Sequence, residues 1–217
     1  MRLGRDLAVS ARSFCRLALE PAILTSPQLV LASTSAYRRA LLERLGLGFE
    51  VAAPGVDETP LPREAPERTA LRLAEAKARA VTIRHPAALI IGSDQLAVLG
   101  GEALGKPGTH AAAVEQLRRI RGREVVFHTA LCLFDAASGE VQLDNVPTTV
   151  VLRKLTDAQI ERYLALERPY DCAGSARIEG LGIALVERVA SEDPSALIGL
   201  PLIALTTMLK NRGVEIV

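Results

Sequence analysis

The chain has 217 residues, 25 of them acidic and 26 basic, so its formal net charge is only +1. Such a balance argues against a protein that coats nucleic acid, although a local basic cluster would still serve a small anionic substrate. Hydrophobic residues make up 49% of the chain but aromatics only 3%, with no Trp, so the expected core is aliphatic, in one large domain or two small lobes around a cleft.

Residues 1–27 read as an extension ahead of the domain. Arg2, Arg5, Arg12 and Arg16 are scattered among apolar residues, without the compact apolar block of a signal peptide. Its scattered arginines fit a disordered or upstream-started segment outside the fold better than a basic amphipathic anchor. Cys15, Cys132 and Cys172 have no paired spacing and read as reduced core thiols of a cytosolic protein. No apolar stretch is long enough to span a membrane.

The domain then runs from 28 to 217. Gln28–Ala32 reads as the first strand. Ser35 is placed to cap a helix that continues to Leu45 and is ended by Gly46. Phe49–Ala53 reads as a second strand, followed by a loop over Pro54–Pro62. Pro66 opens a long helix to about Arg84. Leu89–Gln95 is a buried strand, and Gln95–Leu104 forms a hairpin turned at Gly100-Gly101. Thr109 caps a helix to about Gly122. Val125–Phe134 and Val141–Leu152 are long strands joined at Ala137-Ser138-Gly139. Thr156 caps a helix to Leu166, Asp171–Gly182 is glycine-rich, Ile183–Glu187 reads as a strand, Pro201 starts the last helix, and Val214–Val217 reads as a terminal strand. Strands alternate with helices, but hairpins interrupt the alternation. The pattern predicts a mixed sheet in an α/β domain with a second lobe.

Several of these joints carry chemistry. Ser33-Thr34-Ser35-Ala36-Tyr37-Arg38-Arg39 puts hydroxyls and two guanidiniums at a helix N-terminus, a combination suited to a polyphosphate. Arg38 and Arg39 oppose the helix dipole there and want an anionic partner; the alternative is a plain N-cap with solvated arginines. Asp94 follows an apolar run and Gly92, at a strand end where α/β sheets place ligands, though Asp after a strand can also be a simple turn residue. Glu58, in the loop after the second strand, offers an oxygen ligand to a hard cation or is a solvent-facing acid. Lys77 lies among small alanines on the long helix, and Lys106 sits in the rigid Gly105-Lys106-Pro107 loop. Cys172–Gly182 can press against a flat ligand, with Arg177 and Glu179 projecting from it; a carboxylate there can accept from the imino and amino edge of a guanine. The histidines form no cluster, and there is neither a nucleophile elbow nor a phosphate-binding P-loop.

Residues 28–213 resemble the Maf-like nucleoside triphosphate pyrophosphatases. The resemblance is carried by Leu31-Ala32-Ser33-Thr34-Ser35 with Arg38-Arg39, Val56-Asp57-Glu58, Ala76-Lys77-Ala78, Gly92-Ser93-Asp94, Gly105-Lys106-Pro107, Ala173-Gly174-Ser175 and Gly199-Leu200-Pro201. It implies an ITPase-like fold, a mixed twisted sheet flanked by helices with two lobes around a central cleft. It also implies hydrolysis of a nucleoside triphosphate between the α and β phosphates, with magnesium or manganese held by Glu58 and Asp94. Asp94 aligns with the catalytic acid–base aspartate, and Ser33, Arg38, Lys77 and Lys106 with substrate-binding positions. Gly92-Ser93-Asp94-Gln95 looks like the 7-methyl-GTP branch, whose specificity positions fall on Tyr37, Gln95 and Glu179. Many relatives carry Trp where this chain has Tyr37, but an aromatic face for a cationic base is kept. The other readings are a dTTP/UTP pyrophosphatase of the same family and a nucleotide-binding regulator of septum formation. The resemblance further implies a homodimer, while the thiols, the near-neutral charge and the short apolar runs predict a cytoplasmic protein that contacts neither nucleic acid nor membrane.

Overall fold

A computed structural model describes residues 27–217; residues 1–26, with Cys15 and almost all of the expected extension, lie outside the described residues. Seven strands form one sheet: β1 (Leu29–Leu31), β2 (Glu50–Val51), β3 (Leu89–Leu99), β4 (Glu102–Leu104), β5 (Glu124–Asp135), β6 (Val141–Leu152) and β7 (Val186–Ser191). Their order is β2-β1-β3-β5-β6-β7, with β4 hydrogen-bonded to the far end of β3. β1 runs parallel to β2 and β3, and the remaining pairings are antiparallel. The helices are α1 (Ala36–Glu43), α2 (Pro66–Ala80), α3 (His110–Ile120), α4 (Asp157–Glu167) and α5 (Leu202–Lys210).

Alternation along the strands decides which helix covers which face. Val30, Ala32, Ile90, Ala130, Cys132 and Phe134 point to one side and pack on Ala70, Ala74 and Ala78 of α2. Leu29, Leu31, Leu89, Ile91, Leu131 and Leu133 point to the other and meet α1 and α5. Further along the same strands, Ala97, Leu99, Val125, Phe127, Val150 and Leu152 join Leu104 of β4 and the buried faces of α3 and α4. The long strands β3, β5 and β6 therefore pass through two lobes without a break.

Local signals account for most boundaries. Ser35 caps α1 by accepting from the Arg38 N–H, and Thr109 does the same for α3 from Ala112. Thr156 and Gln159 form a capping box on α4. Gly100 and Gly101 both take positive φ, 58° and 89°, which gives the β3–β4 hairpin its tight turn. At Gly92 the need for glycine is packing: a Cβ there would stand 2.1 Å from the Ala74 carbonyl oxygen of α2. The group that approaches Gly92 is thus a helix backbone.

Three expected elements differ. The segment read as a strand at Ile183–Glu187 begins as a 3-10 turn, Leu181–Leu185, because Gly180 and Gly182 fold back to donate to the Arg177 carbonyl; the strand starts at Val186. Val214–Val217 forms no strand, since the Val214 N–H closes α5 onto Leu209. The second strand is only two residues, as it pairs with a β1 of three.

Candidate active site

β1 covers one edge of β3 at Leu89–Ile91, and β4 covers the same edge at Ala97–Leu99. Between them, Gly92–Leu96 has β5 on one side and no strand on the other. A cleft of about 670 Å³ opens at this gap, within the usual size of a small-molecule site. It is lined by the β1–α1 loop, Pro54 and Glu58, α2, the 105–106 loop, residues 171–173, 176, 178 and 179, and the 197–199 turn.

Asp94 lies in the gap with its side chain 8% exposed, and Lys77 of α2 reaches it. Lys77 occupies the same helical face as buried Thr69, Ala70, Leu73, Ala74 and Ala78, so the helix period drives its stem into the interior. Its Nζ then lies 2.6 Å from Asp94 Oδ1 and 2.7 Å from Glu58 Oε1. Asp94 Oδ2 has no hydrogen-bond partner among the described residues, leaving it for water or ligand. Burial pushes the Glu58 carboxyl up, but the hydrogen bond and charge of Lys77, with Lys106 and Arg38, outweigh it and hold the group below its ordinary range.

Arg38 enters from the first turn of α1. Its Nε donates to the Gly199 carbonyl (2.8 Å) and Nη1 to Ser33 Oγ (3.5 Å). Burial pulls this guanidinium's pKa down, partly offset by Asp94 and Glu58. Gly199 has φ of 118° and its carbonyl also accepts from buried Ser93 Oγ at 2.9 Å. Lys106 lines the cleft on a loop anchored by Gln116 Nε2 to Gly105 O (2.8 Å) and Gly108 N–H to Tyr170 O (3.0 Å). Ser33, Arg38, Glu58, Lys77, Asp94 and Lys106 thus all line the cleft and are linked to one another by hydrogen bonds or charge.

Tyr37, Asp171, Cys172 and Glu179 contribute another part of its wall. The Arg177 guanidinium carbon lies 5.3 Å from the centre of the Tyr37 ring. Burial, with the nearby Cys172 and Asp171, raises the Tyr37 pKa, so the ring carries a neutral phenol. Burial also pushes the Cys172 thiol up to about 12.

Two residues behave differently from expectation. Arg39 does not face the cleft: its side chain is 62% exposed and pairs with Glu43 on the outside of α1. Successive helical residues diverge by about 100°, so Arg38 and Arg39 cannot both look inward. Gln95 lines the cleft, but its amide nitrogen is committed to Thr129 Oγ1, Ala196 O and Leu197 O at 2.9–3.1 Å. That leaves Oε1 as its group for a ligand. The supporting Thr129 and the Gly199 carbonyl were not singled out from sequence. A Thr in the apolar run of β5 is the signal that could have marked the first; Gly199 was noted as part of a family motif, but not for its carbonyl.

Among the described residues, no group of three or more His, Cys, Asp and Glu is gathered to cage a metal. Glu58 and Asp94, brought together on Lys77, are hard oxygen donors of the kind that shares a divalent cation with phosphate. None of the described helices is long and apolar enough to cross a membrane.

The family model described as Maf-like protein matches residues 28–212. A protein of Cupriavidus pinatubonensis named 7-methyl-GTP pyrophosphatase is 62% identical over 187 residues, covering 86% of this chain and 94% of that protein. Another of that name, from Thiobacillus denitrificans, is 62% identical over 192 residues, 88% of this chain and 96% of that protein. The structure of a HAM1 protein from Coxiella burnetii superposes with a TM-score of 0.50 at 17% identity, over 85% of this chain and 99% of that one, a likeness of fold.

Proposed function

This chain belongs to the Maf-like family, and from that premise we propose that it is a nucleoside triphosphate pyrophosphatase that hydrolyses 7-methyl-GTP to 7-methyl-GMP and pyrophosphate. The observation that carries this reading is the division of one cleft. Lys77 binds Asp94 and Glu58, and the charges of Arg38 and Lys106 act on the same pair of carboxylates, while Tyr37 stands with Asp171 and Cys172. The first arrangement suits a polyphosphate, the second a planar base with positive charge. Relatives about 62% identical carry the name of this activity.

In the reaction, Asp94 Oδ2 accepts a proton from the water that attacks the α-phosphorus. Lys77 holds Oδ1 and thereby fixes the direction in which Oδ2 points. The bond from the α-phosphorus to the bridging oxygen breaks, and the electron pair leaves with pyrophosphate. Arg38, Lys77 and Lys106 stabilise that charge as it develops. A magnesium or manganese ion held by Glu58 and Asp94 would add neutralising charge at the phosphate oxygens. Tyr37 stacks on the base, and Glu179 and Gln95 Oε1 accept from its imino and amino edge. In this reading the enzyme works in the cytoplasm as a homodimer and removes a modified nucleotide.

The test is pyrophosphate release from 7-methyl-GTP, GTP, dTTP, UTP and CTP with either cation. The highest kcat/KM is expected for 7-methyl-GTP. Preference for dTTP or UTP would overturn the substrate assignment, and absence of release from all five would overturn the enzymatic reading.

A further inference from the structure

One cation near the cleft has no part in the reaction above. Arg177 is not among the lining residues; it stands behind Tyr37. Its backbone is fixed on both sides. The Arg177 N–H donates to Tyr163 Oη at 2.9 Å, and its carbonyl accepts from the N–H groups of Gly180 and Gly182. A Cβ on Gly182 would stand 2.3 Å from that carbonyl oxygen, so the turn admits only glycine there. From this base the guanidinium reaches Glu167 Oε1 through Nη1 (3.0 Å), while Nε lies 3.5 Å from Glu179 Oε1. Glu167 is itself held, accepting from the Leu181 N–H through Oε2.

From this geometry we infer that Arg177 is a positioning residue of the base subsite whose positive charge tempers the preference for a cationic base. The inference rests on the proposed stacking of the base on Tyr37. It works through two neighbours that touch the cleft, in the same direction. From the other face of the ring, Arg177 draws on the same π electrons that would attract an N7-methylated guanine, and it repels that base through the ring. Beside Glu179, it neutralises part of the carboxylate that faces the cleft. A neutral guanine escapes the charge–charge part of both effects, while any weakening of its hydrogen bonds to Glu179 is shared with the methylated base and cancels in the ratio. A base stacked in front of Tyr37 would carry its charge on the order of 9 Å from the guanidinium, where like-charge repulsion corresponds to about a two- to fivefold loss in affinity.

The readout is the ratio of kcat/KM for 7-methyl-GTP to that for GTP, taken at mildly acidic pH where the methylated base keeps its charge. A general loosening of Tyr37 would lower the ratio, because the cationic base depends more on that ring, so a rise cannot come from it. Arg177→Gln, and Arg177→Met as a variant that keeps the apolar stem, are expected to raise the ratio about two- to fivefold. The change should lie in KM, with kcat for 7-methyl-GTP held. Arg177→Lys keeps the charge and should stay near the wild-type ratio. An unchanged or reduced ratio in both neutral variants, or a rise in Arg177→Lys equal to theirs, overturns the inference. Failure of the wild type to prefer 7-methyl-GTP would instead strike the proposed substrate, so the two outcomes are separable.

Discussion

Lys77 joins two carboxylates whose duties differ. Asp94 sits 8% exposed on a strand, while Glu58 is more than half exposed on a loop. Asp94→Asn preserves shape and an acceptor for Lys77 but removes the carboxylate proposed to accept the proton. Nucleotide binding by calorimetry should survive while kcat falls about a hundredfold or more. Lys77→Met should be worse in a second respect. It leaves Asp94 without its partner, and thermal or urea unfolding should register a loss of about 1–3 kcal/mol, alongside lost turnover. Arg38 was legible at the joint of β1 and α1, and Lys77 as a lysine among alanines on a helix; Asp94, expected at a strand end, stands instead in the middle of β3, because the strand runs on past it to Leu99 as one arm of the glycine hairpin. Arg39 was misplaced because two adjacent arginines look alike in one dimension and only the phase of α1 separates them. Arg177 was visible as a projecting cation, but its seat behind Tyr37 depends on a contact between residues 140 positions apart, which no local pattern encodes.

At the scale of elements, α2 is held to the sheet by smallness. Its alanines let it approach until the Ala74 carbonyl occupies the space a side chain at position 92 would need. Gly92→Ala should therefore cost about 3 kcal/mol, read in urea denaturation, and should depress activity because Asp94 lies two residues on. The start of α2 carries its own pH signature. Hydrogen bonds from Arg72 hold the Glu64 carboxyl down at about 2. A depressed pKa contributes stability that is complete above the usual carboxylate range and is lost as pH falls towards 2. Glu64→Gln should thus lower the melting temperature at neutral pH and converge with the wild type near pH 2. Capped helices and the glycine hairpin were legible because each is written in adjacent residues. The 181–185 turn was not, because glycines 180 and 182 serve the Arg177 carbonyl, and an apolar run beside them looks like the start of a strand.

In the whole molecule, β3, β5 and β6 are 11, 12 and 12 residues long and belong to both lobes at once. Neither lobe can lose its sheet while the other keeps it. Calorimetric and van't Hoff enthalpies should agree, with one unfolding transition for the described domain. A mixed sheet with a second lobe was foreseeable from the interrupted alternation of strands and helices, but strands shared between the lobes were not, since length alone does not say where a strand changes partners. The open edge at Gly92–Leu96 has a consequence of another kind. In an antiparallel ladder, amides point alternately to either side, so through this stretch every second N–H faces β5 and the others face the cleft. Deuterium should enter the two sets at very different rates in the free protein. A bound nucleotide, by shielding the open side, should slow only the fast set, so that a single strand reports, amide by amide, whether the cleft is filled.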